Sequence, residues 1–562
     1  MTTHTPDAFH HHWPPRLSKS LRPPRTTLWD NLVTSARRYP DKTAVRFFDR
    51  ALSYRELLRQ CETLAAWLSG AGVRPGDRVL VMMQNCPQLV IAHYAIMRAN
   101  AVVVPINPMN KAAELGHYIH NAGAKAAICS AELAGELSDA NNALPRDQQL
   151  RRLLVTRYAD AFDRGASQNL PVPEEWNNWL HTGNLPLDGH TPVTPWLEAL
   201  ATTLPPPVLI GDPDTPCLLP YTSGTTGAPK GCVHHHGSIM HNAVASWHWI
   251  NGDPESVMLA VLPLFHITGL VCVMHGTIFG GGTLVILPRW QRDLASHLIE
   301  KEGISHWLCI PTMVVDLLAS PDLERYDLSR LAFIGGGGAA MPEAVAERLR
   351  DTYGLNFVEG YGLTETSGPT HMNPCHRPKL QCLGIPFMST DVKVLDPDTR
   401  EECADDQPGE IAIHGPQVFQ GYWNNAEATA KSFVYIGGRK YFLTGDLGRR
   451  DSEGYFHITD RIKRMINASG FKVWPAEVES LLFRHPGIQE ACVVGSQDTY
   501  RGETVRAVVV RRAAQPDLDA DTLINWCREN MAAYKVPKII DFVDALPKNG
   551  SGKIMWREVQ NL

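Results

Sequence analysis

A run of hydroxyl and glycine residues followed by a lysine is the strongest chemical signal in this 562-residue chain. Residues 221–231 read YTSGTTGAPKG. The glycines let several backbone N–H groups point one way, and the hydroxyls and the lysine add donors and a positive charge, which together suit a polyphosphate. Pro229 stands where a Walker A loop requires Gly, so this is a different kind of phosphate loop. The candidate phosphate-binding residues are Thr222, Ser223, Gly224, Thr225, Thr226, Gly227 and Lys230.

A second segment, residues 359–366, reads EGYGLTET. Tyr361 lies between two glycines and offers a flat face on which a purine could stack, and Thr364 offers a phosphate donor. Glu365 is a hard carboxylate of the kind that binds Mg²⁺ together with substrate phosphates. Taken alone, the segment is equally consistent with a turn before a helix. Its candidate nucleotide-binding residues are Glu359, Gly360, Tyr361, Thr364 and Glu365.

A competing glycine-rich loop supplies a rival function. Residues 335–340 read GGGGAA, follow the strand-like residues 331–334, and fit the G-x-G-x-x-A dinucleotide fingerprint, with Glu359 at 19 residues beyond Ala340. This pattern keeps open an NAD(P)-dependent oxidoreductase. Against it, the helix is predicted to open at Pro342, after the last fingerprint position, so its N-terminus would not meet the pyrophosphate.

The elements that must position these segments alternate between strands and helices. Strands are predicted over residues 78–83 and 101–106, and helices over 55–71 and 89–99. Near-continuous apolar strands between amphipathic helices predict α/β layers with parallel sheets. After a boundary near residues 459–464, the order helix, strand, strand, helix predicts a smaller α+β unit. Residues 139–214 are rich in Pro and Trp and show little periodicity apart from a predicted strand at 152–155, and no role is assigned to them.

With these motifs in order, the chain resembles the adenylate-forming superfamily, and within it the acyl-CoA synthetases (fatty-acid–CoA ligases), over about residues 27–559. The resemblance implies a large N-terminal α/β domain of several subdomains and a small, mobile α+β C-terminal domain. The predicted domains are 27–460 and 461–562, after a disordered arm at 1–26. The motifs that match are a phosphate loop at 222–231, an adenine and magnesium motif at 359–366, a ribose motif at 441–446, a hinge at 460–464 and a lysine loop at 547–553.

The resemblance also implies a reaction in two halves. A carboxylate attacks the α-phosphorus of ATP to give an acyl-adenylate and pyrophosphate, and the thiol of CoA then takes the acyl group and releases AMP. Mg²⁺ is the implied metal, with Glu365 as its ligand. The residues implied are Lys553, Lys230 and Glu365 for catalysis; Gly337, Asp446 and Arg461 for the nucleotide; Ser469, Gly470 and Phe471 for CoA; and Arg464 at the hinge, where the family more often has Asp or Lys.

The acid is predicted from the same resemblance. Amino-acid-activating relatives carry an acidic residue near the position of His266, so an α-amino acid is disfavoured here. His266, Gly335 and Gly336 are predicted to line the acyl pocket, and the small residues leave room for a chain or a ring. A medium- or long-chain fatty acid is the favoured substrate, and an aryl or branched acid stays open.

Composition excludes several other partners. With 53 Lys and Arg against 59 Asp and Glu, the net charge of −6 leaves no footprint for nucleic acid. Residues 269–287 carry no Asp, Glu, Lys or Arg, but they include His275, and Gly280–Gly282 split them into a helix and a strand, so no integral membrane segment is predicted. The 12 cysteines form no C-x-x-C pair and residues 1–19 hold no apolar signal region, which together predict a cytoplasmic protein. The predicted partners are therefore the acid, ATP and CoA, and a homodimer is left open.

Overall fold

The protein divides into two compact units. A computed structural model describes residues 12–161, 172–173, 176, 179–180, 191–222, 229–461, 464–468, 471–498, 502–548 and 554–562. Unit 1 is Met1–Asp391 with His414–Lys440, and unit 2 is Val392–Ile413 with Tyr441–Leu562. This division assigns residues 392–413 and 441–460 to the C-terminal unit, whereas the sequence predicted a single boundary between 460 and 461.

The first sheet of unit 1 has a parallel centre with antiparallel strands at both edges. The parallel strands are apolar and buried, as expected for a sheet covered on both faces. In spatial order its strands are Ile385–Pro386, Gly368–Met372, Phe357–Leu363, Phe333–Gly337, His306–Cys309, Val257–Ala260, Thr283–Ile286, Thr43–Phe47 and Arg50–Ser53.

The second sheet of unit 1 is also mainly parallel. In sequence, the phosphate loop at 221–231 lies between the two strands at one end of this sheet. The spatial order of the sheet is Val193–Pro195, Arg152–Thr156, Ala126–Ser130, Arg78–Met82, Val102–Pro105, Pro216–Leu218 and His234–His235. The predicted strands at 78–83 and 101–106 are confirmed to within a residue at each end.

Helices cover the sheets of unit 1. The helix Tyr54–Gly70 begins where the Ser53 hydroxyl accepts from the Glu56 amide while the Glu56 carboxylate accepts from the Ser53 amide, a capping box. The remaining α-helices of unit 1 are Leu28–Arg38, Pro87–Arg98, Ala112–Ala122, Ala134–Asn142, Trp196–Ala199, His236–Trp249, Gly276–Gly280, Arg292–Lys301, Pro311–Leu318, Glu343–Tyr353 and Ala426–Lys431.

The uncharged stretch at 269–287 folds as the sequence predicted. A π-helix over Gly269–His275 continues into the α-helix Gly276–Gly280, and Gly281 ends it with a φ of 73°. The buried strand Thr283–Ile286 follows. In the described part of the chain, no helix is both long enough and apolar enough to cross a bilayer.

The N-terminal segment corrects one expectation. Residues 1–26 were predicted to be a disordered arm, but residues 12–26 lie against unit 1. The Trp13 ring packs edge-on against Trp249 with centroids 5.2 Å apart. The Leu21 amide donates to the Ser389 hydroxyl at 2.9 Å, and the Ser389 amide donates to the Lys19 carbonyl at 2.9 Å. A partly buried aromatic contact and these hydrogen bonds order a segment whose composition alone indicated disorder.

Unit 2 contains the smaller α+β structure that the sequence predicted. The strand Ile488–Asp498 pairs antiparallel with Gly502–Arg511, which also pairs with Ile539–Phe542 and contacts Ile466–Ala468. The helices Pro475–Leu482 and Ala520–Asn530 pack on these strands over a core of aliphatic side chains, and Trp556–Gln560 is the last helix.

The remaining described strands of the two units are Asp391–Leu395, Gly409–His414, Phe433–Ile436, Arg439–Arg450, Phe456–Arg461 and Phe471–Val473.

Candidate active site

The two ends of the phosphate loop are held together by backbone pairing. Tyr221 and Gly231 form an antiparallel bridge, and the Thr222 amide donates to the Lys230 carbonyl at 2.9 Å. The Lys230 amide lies 3.4 Å from the Thr222 hydroxyl oxygen. Thr222 and Lys230 are thus brought together as predicted. The predictions for the loop between them lie outside the described residues; these are Ser223, Gly224, Thr225, Thr226 and Gly227.

A cation and a carboxylate meet at one tyrosine ring. Glu365 lies in the 3₁₀ turn Thr364–Thr366, and its Oε1 accepts a hydrogen bond from the Tyr422 hydroxyl at 2.8 Å. The Lys230 Nζ lies 4.8 Å from the centroid of the same Tyr422 ring. Residues that are 135 and 57 positions apart in sequence therefore share one local site, in which a positive charge lies over the aromatic ring and a carboxylate binds its hydroxyl.

The electrostatics of this site follow from burial and from the carboxylate. Burial and the nearby Glu365 charge raise the pKa of Tyr422 well above its usual value, so the phenol stays protonated and donates. Burial and Glu365 also raise the pKa of the Cys232 thiol, which Lys230 partly opposes. Cys232 is fully buried and stays a thiol, so it is not a nucleophile of this site.

A histidine supports the turn that carries Glu365. The His234 Nε2 lies 2.7 Å from the Thr364 carbonyl oxygen and therefore carries the proton that is donated. Burial lowers the pKa of His234 to about 4, so the ring is neutral near pH 7. Thr364 is thus positioned by its backbone, while its hydroxyl remains a predicted phosphate donor.

The glycine run at 335–337 lies inside a strand rather than in a loop. Gly336 pairs with Cys309 on one side and with Glu359 on the other. A Cβ on Gly336 would lie 1.7 Å from the Cys309 carbonyl oxygen, and one on Gly337 would lie 2.3 Å from the Gly360 carbonyl oxygen. Glycine is needed here for close strand packing. The oxidoreductase alternative required a glycine loop that leads directly into a helix. The glycines lie in the strand Phe333–Gly337 and the helix begins only at Glu343, which argues against it.

Glu359 and Tyr361 follow on the neighbouring strand, Phe357–Leu363. The Glu359 carboxylate is buried, and its Oε1 accepts from the amides of Met341 and Gln381 at 3.0 and 3.2 Å. Burial raises the pKa of Glu359 despite these hydrogen bonds. The Tyr361 ring is partly exposed, with its centroid 5.6 Å from that of His371. The strand therefore presents the Tyr361 ring, while the Glu359 side chain binds the backbone amides of Met341 and Gln381.

His266 lies in the turn that precedes the π-helix. Its amide donates to the Pro263 carbonyl at 3.0 Å, and its carbonyl accepts from the Leu270 amide at 2.9 Å. The side chain is exposed, so it is not a core histidine. π-Helical turns such as Gly269–His275 are frequent at functional sites. The acyl-pocket role of His266, with Gly335 and Gly336, stays a prediction.

Within unit 2, the two predicted ribose-binding residues face each other across a strand pair. Asp446 pairs with Arg461, the last residue of the strand Phe456–Arg461. The Asp446 side chain is buried, and its amide donates to the Thr444 hydroxyl at 3.1 Å. That hydroxyl in turn donates to the Ile411 carbonyl at 2.7 Å. Gly445, the residue before Asp446, has a φ of 72°. This φ lies in the left-handed region that glycine adopts readily.

The hinge residue Arg464 is held by two carboxylates of its own unit. Both terminal nitrogens of its guanidinium hydrogen-bond Glu479, with Nη1 to Oε2 at 3.3 Å, and Nη1 lies 3.9 Å from the Asp460 Oδ1. Burial alone would lower the pKa of Arg464, but Glu479 and Asp460 outweigh it and raise that pKa. Arg464 also borders a cavity of about 360 Å³ that reaches Trp556. The planar guanidinium of Arg464 binds both oxygens of the Glu479 carboxylate through its two terminal nitrogens. This geometry explains why Arg fits the hinge position.

The remaining predicted residues cannot be placed by the structure. Lys553, Ser469 and Gly470 lie outside the described residues, and Phe471 begins the strand Phe471–Val473. Beside Lys553, the flanking residues Lys548 and Ile554 pair as an antiparallel bridge. These roles stay predictions.

Two residues of this site were missed by sequence reasoning. Tyr422 and His234 contact Glu365 and its turn only through tertiary structure. Tyr422 stands in the sequence FQGYW at 419–423, where an aromatic pair after glycine was the available signal.

Comparison with known proteins agrees with this geometry. The AMP-binding enzyme family matches residues 32–423, and the AMP-binding enzyme C-terminal domain matches residues 477–553. A long-chain-fatty-acid–CoA ligase of Bacillus subtilis (strain 168) is 35% identical over 97% of this chain and 96% of its own length. A feruloyl-CoA synthase of an Amycolatopsis species is 36% identical over 94% of this chain and 97% of its own length.

A solved structure shows the same fold. ATP-bound MatB from Rhodopseudomonas palustris superposes with a TM-score of 0.81, at 26% identity, over 96% of this chain and 99% of that one. The chain therefore belongs to the AMP-binding enzymes of the adenylate-forming superfamily and is an AMP-forming acyl-CoA synthetase. The predicted α/β fold, with a large N-terminal and a small C-terminal part, is confirmed. ATP and CoA are the substrates of this family.

Proposed function

We propose that the protein converts a medium- or long-chain fatty acid into its CoA thioester through an acyl-adenylate. An oxygen of the fatty-acid carboxylate attacks the α-phosphorus of ATP, and the bond from that phosphorus to the bridging oxygen breaks to release pyrophosphate. The sulfur of CoA then bonds to the acyl carbon as the bond to AMP breaks. The observation that carries the proposal is the meeting of Lys230 and Glu365 at the Tyr422 ring.

Charge stabilisation is the main contribution that the site makes to the first half. Lys230 places a positive charge at the end of the phosphate loop, where the leaving pyrophosphate develops charge. Glu365 offers a hard oxygen donor, fixed by the Tyr422 hydroxyl, and therefore fits a magnesium ion. Bound there with ATP, Mg²⁺ would neutralise phosphate charge. Lys553 is proposed to add a further positive charge at the attacking carboxylate.

The adenosine part of ATP is proposed to lie along two strand segments. Gly337, Gly360 and the Tyr361 face offer close backbone approach and a surface for the purine. The backbone of Glu359 belongs to the same strand, while its side chain supports the adjoining chain. Asp446 is proposed to accept from the ribose hydroxyls, with Arg461 beside it. A carboxylate suits this role because it accepts from both hydroxyls at once.

The second half is assigned to unit 2. We take residues 461–562 as the mobile cap, with Arg464 as its hinge, and Ser469, Gly470 and Phe471 as the surface that meets CoA. The two ion pairs of Arg464 support a hinge role, because a guanidinium can exchange hydrogen-bond partners between states. If the cap retires Lys553 after adenylation, Lys553→Ala should reduce adenylation far more than thioester formation from supplied acyl-adenylate. Equal losses in the two half-reactions would contradict this assignment.

The acid itself has two candidates. The similarity to the fatty-acid ligase extends over nearly the whole chain. The exposed His266 is the proposed acyl-pocket residue that solvent can reach. Gly335 and Gly336 are taken up by close strand packing, so the room they were predicted to leave is not there. The equal similarity to the feruloyl-CoA synthase favours an aryl acid as the second candidate.

An acid panel separates these two candidates. Pyrophosphate release and CoA-dependent AMP formation are measured with saturated acids from two to eighteen carbons, with benzoates and with cinnamates. The proposal predicts the highest kcat/KM among medium or long saturated acids. A higher kcat/KM for an aryl acid would make an aryl acid the substrate in place of a fatty acid. Pyrophosphate release without acyl-CoA formation would indicate that the acyl group goes to an acceptor other than CoA.

The proposal includes a cytoplasmic location, and it leaves the homodimer open. The twelve cysteines are all free thiols, which fits a reducing compartment. Analytical ultracentrifugation tests the dimer, and a sedimentation coefficient of a 62.3 kDa monomer would reject it.

A further inference from the structure

One face of the helix His236–Trp249, together with His234 two residues before it, contacts the turn that carries Glu365. The His234 Nε2 meets the Thr364 carbonyl oxygen at 2.7 Å, and the Ser238 carbonyl accepts from the Ser367 hydroxyl at 3.3 Å. His234, Ser238 and Asn242 follow one another at intervals of four, which places the helical pair on one face. The same stretch of chain begins at the end of the phosphate loop and therefore links Lys230 to the Glu365 turn.

Asn242 makes the largest number of contacts to this turn. Its Nδ2 lies 3.0 Å from the Thr366 carbonyl oxygen, 3.1 Å from that of Ser367 and 3.1 Å from that of Pro369. Three carbonyl oxygens around one nitrogen identify that atom as the amide nitrogen, since an oxygen there would be repelled. Asn242 is fully buried, so these hydrogen bonds do not compete with water.

The turn itself needs support from its surroundings. Ser367 has a φ of 47° and Gly368 a φ of 103°, both in the left-handed region, and Ser367 is fully buried. A non-glycine residue persists in this conformation only where its neighbours determine it. The carbonyls that Asn242 binds lie between residues 366 and 369 and span this reversal, which begins two residues after Glu365.

The oxygen of the Asn242 side-chain amide indicates that this side chain serves the turn rather than general packing. Its Oδ1 is buried and has no hydrogen-bond partner among the described residues. Buried amides normally satisfy both ends, so an unsatisfied acceptor lowers stability. An asparagine chosen for packing alone would be replaceable by an apolar side chain without this cost.

We propose that Asn242 is a positioning residue that fixes the orientation of the Glu365 carboxylate for the metal–nucleotide complex. This inference rests on the proposed role of Glu365 as the magnesium ligand. Asn242 does not contact the substrate; it acts by holding the turn that carries Glu365. Its loss therefore weakens the use of Mg²⁺ and of ATP more than the use of the acid.

The test compares two buried asparagines. In Asn242→Ala the turn loses three hydrogen bonds. In the matched control Asn141→Ala, a buried amide of the helix Ala134–Asn142 loses its hydrogen bonds to Thr191 and Leu150 instead. Binding of Mn²⁺ with a non-hydrolysable ATP analogue is measured by electron paramagnetic resonance, and the Mg²⁺ dependence of pyrophosphate release is measured at saturating acid.

For Asn242→Ala we expect about a tenfold rise in both the Mn²⁺ Kd and the half-saturating Mg²⁺ concentration, with the KM of the acid within twofold of the wild type. Asn141→Ala should lower the melting temperature and leave both metal readouts unchanged. Ser367→Ala, which removes hydrogen bonds to the carbonyls of Ser238 and Gln417, provides a milder variant with an expected threefold rise.

The outcomes separate the inference from the proposed function. Unchanged metal readouts in Asn242→Ala beside an active wild type would overturn the inference alone. If Asn242→Ala is not recovered folded, unchanged readouts in Ser367→Ala overturn it equally. Equal effects of Asn242→Ala and Asn141→Ala would also overturn it. A wild type that neither binds the metal–nucleotide pair nor releases pyrophosphate would overturn the proposed function and this inference with it.

Discussion

The hydrogen bond from Tyr422 to Glu365 can be removed without removing the ring that contacts Lys230. Tyr422→Phe deletes the hydroxyl that donates to the Glu365 Oε1 at 2.8 Å and keeps the aromatic face 4.8 Å from the Lys230 Nζ. A hydrogen bond to a charged group contributes about 1.5–3 kcal/mol. Since Tyr422 is only partly buried, we take the lower end, about 1.5 kcal/mol, which corresponds to roughly a tenfold effect.

Tyr422→Leu removes the ring as well. A cation–π contact at a partly exposed site adds about 0.5–1 kcal/mol, a further factor of roughly 2–5. The assay is the kcat/KM for magnesium–ATP in pyrophosphate release at saturating acid. We expect about a tenfold loss for Tyr422→Phe and a larger loss for Tyr422→Leu.

A matched pair elsewhere in the chain provides the control. The Tyr158 hydroxyl donates to the Glu132 Oε1 at 2.7 Å, so Tyr158→Phe deletes the same kind of hydrogen bond away from the proposed site. Tyr158→Phe should lower stability without changing the kcat/KM for magnesium–ATP. Wild-type kinetics in Tyr422→Phe, or an equal loss in Tyr158→Phe, would refute the reasoning.

Three further substitutions or conditions test the fold and the site. Gly336→Ala should destabilise the sheet by several kcal/mol, because the new Cβ would lie 1.7 Å from the Cys309 carbonyl oxygen; a urea midpoint equal to that of the wild type would contradict the strand packing. Arg464→Leu should destabilise unit 2 by about 3 kcal/mol, because it leaves the buried partners of the guanidinium, among them Glu479, without a cation; an unshifted unfolding transition would reject the ion pair. Burial lowers the pKa of His241 to about 4, so between about pH 6.5 and 4 the unfolded chain binds the extra proton and stability falls as the pH falls, by about 1.4 kcal/mol per pH unit from this group. His241→Gln should reduce that slope in urea titrations at pH 7, 6 and 5, and an unchanged slope would show that other groups cause it.

Local sequence patterns predicted the elements well, because their causes are local. The strands at 78–82 and 102–105 were predicted to within a residue at each end. The phosphate-loop segment was found because its donors are contiguous, and the Gly280–Gly282 break was found because glycine ends a helix whatever surrounds it.

Long-range pairing accounts for what the sequence did not predict. Residues 392–413 join unit 2 because the strand Gly409–His414 pairs with Arg439–Arg450, and no pattern in either strand names its partner. Tyr422 and Asn242 gain their roles only when residues 365–369 fold back against them. Asn242 is the one amide side chain in a helix that also carries three histidines and two serines, and this composition gives no sign of the turn that it binds.

The most direct test of the central claim is acid-dependent exchange of labelled pyrophosphate into ATP, measured without CoA. Adenylation is reversible before the thiol attacks, so the account predicts exchange that requires both Mg²⁺ and a carboxylic acid and that does not require CoA. No exchange with any acid of the panel, or exchange that begins only when CoA is added, would contradict it.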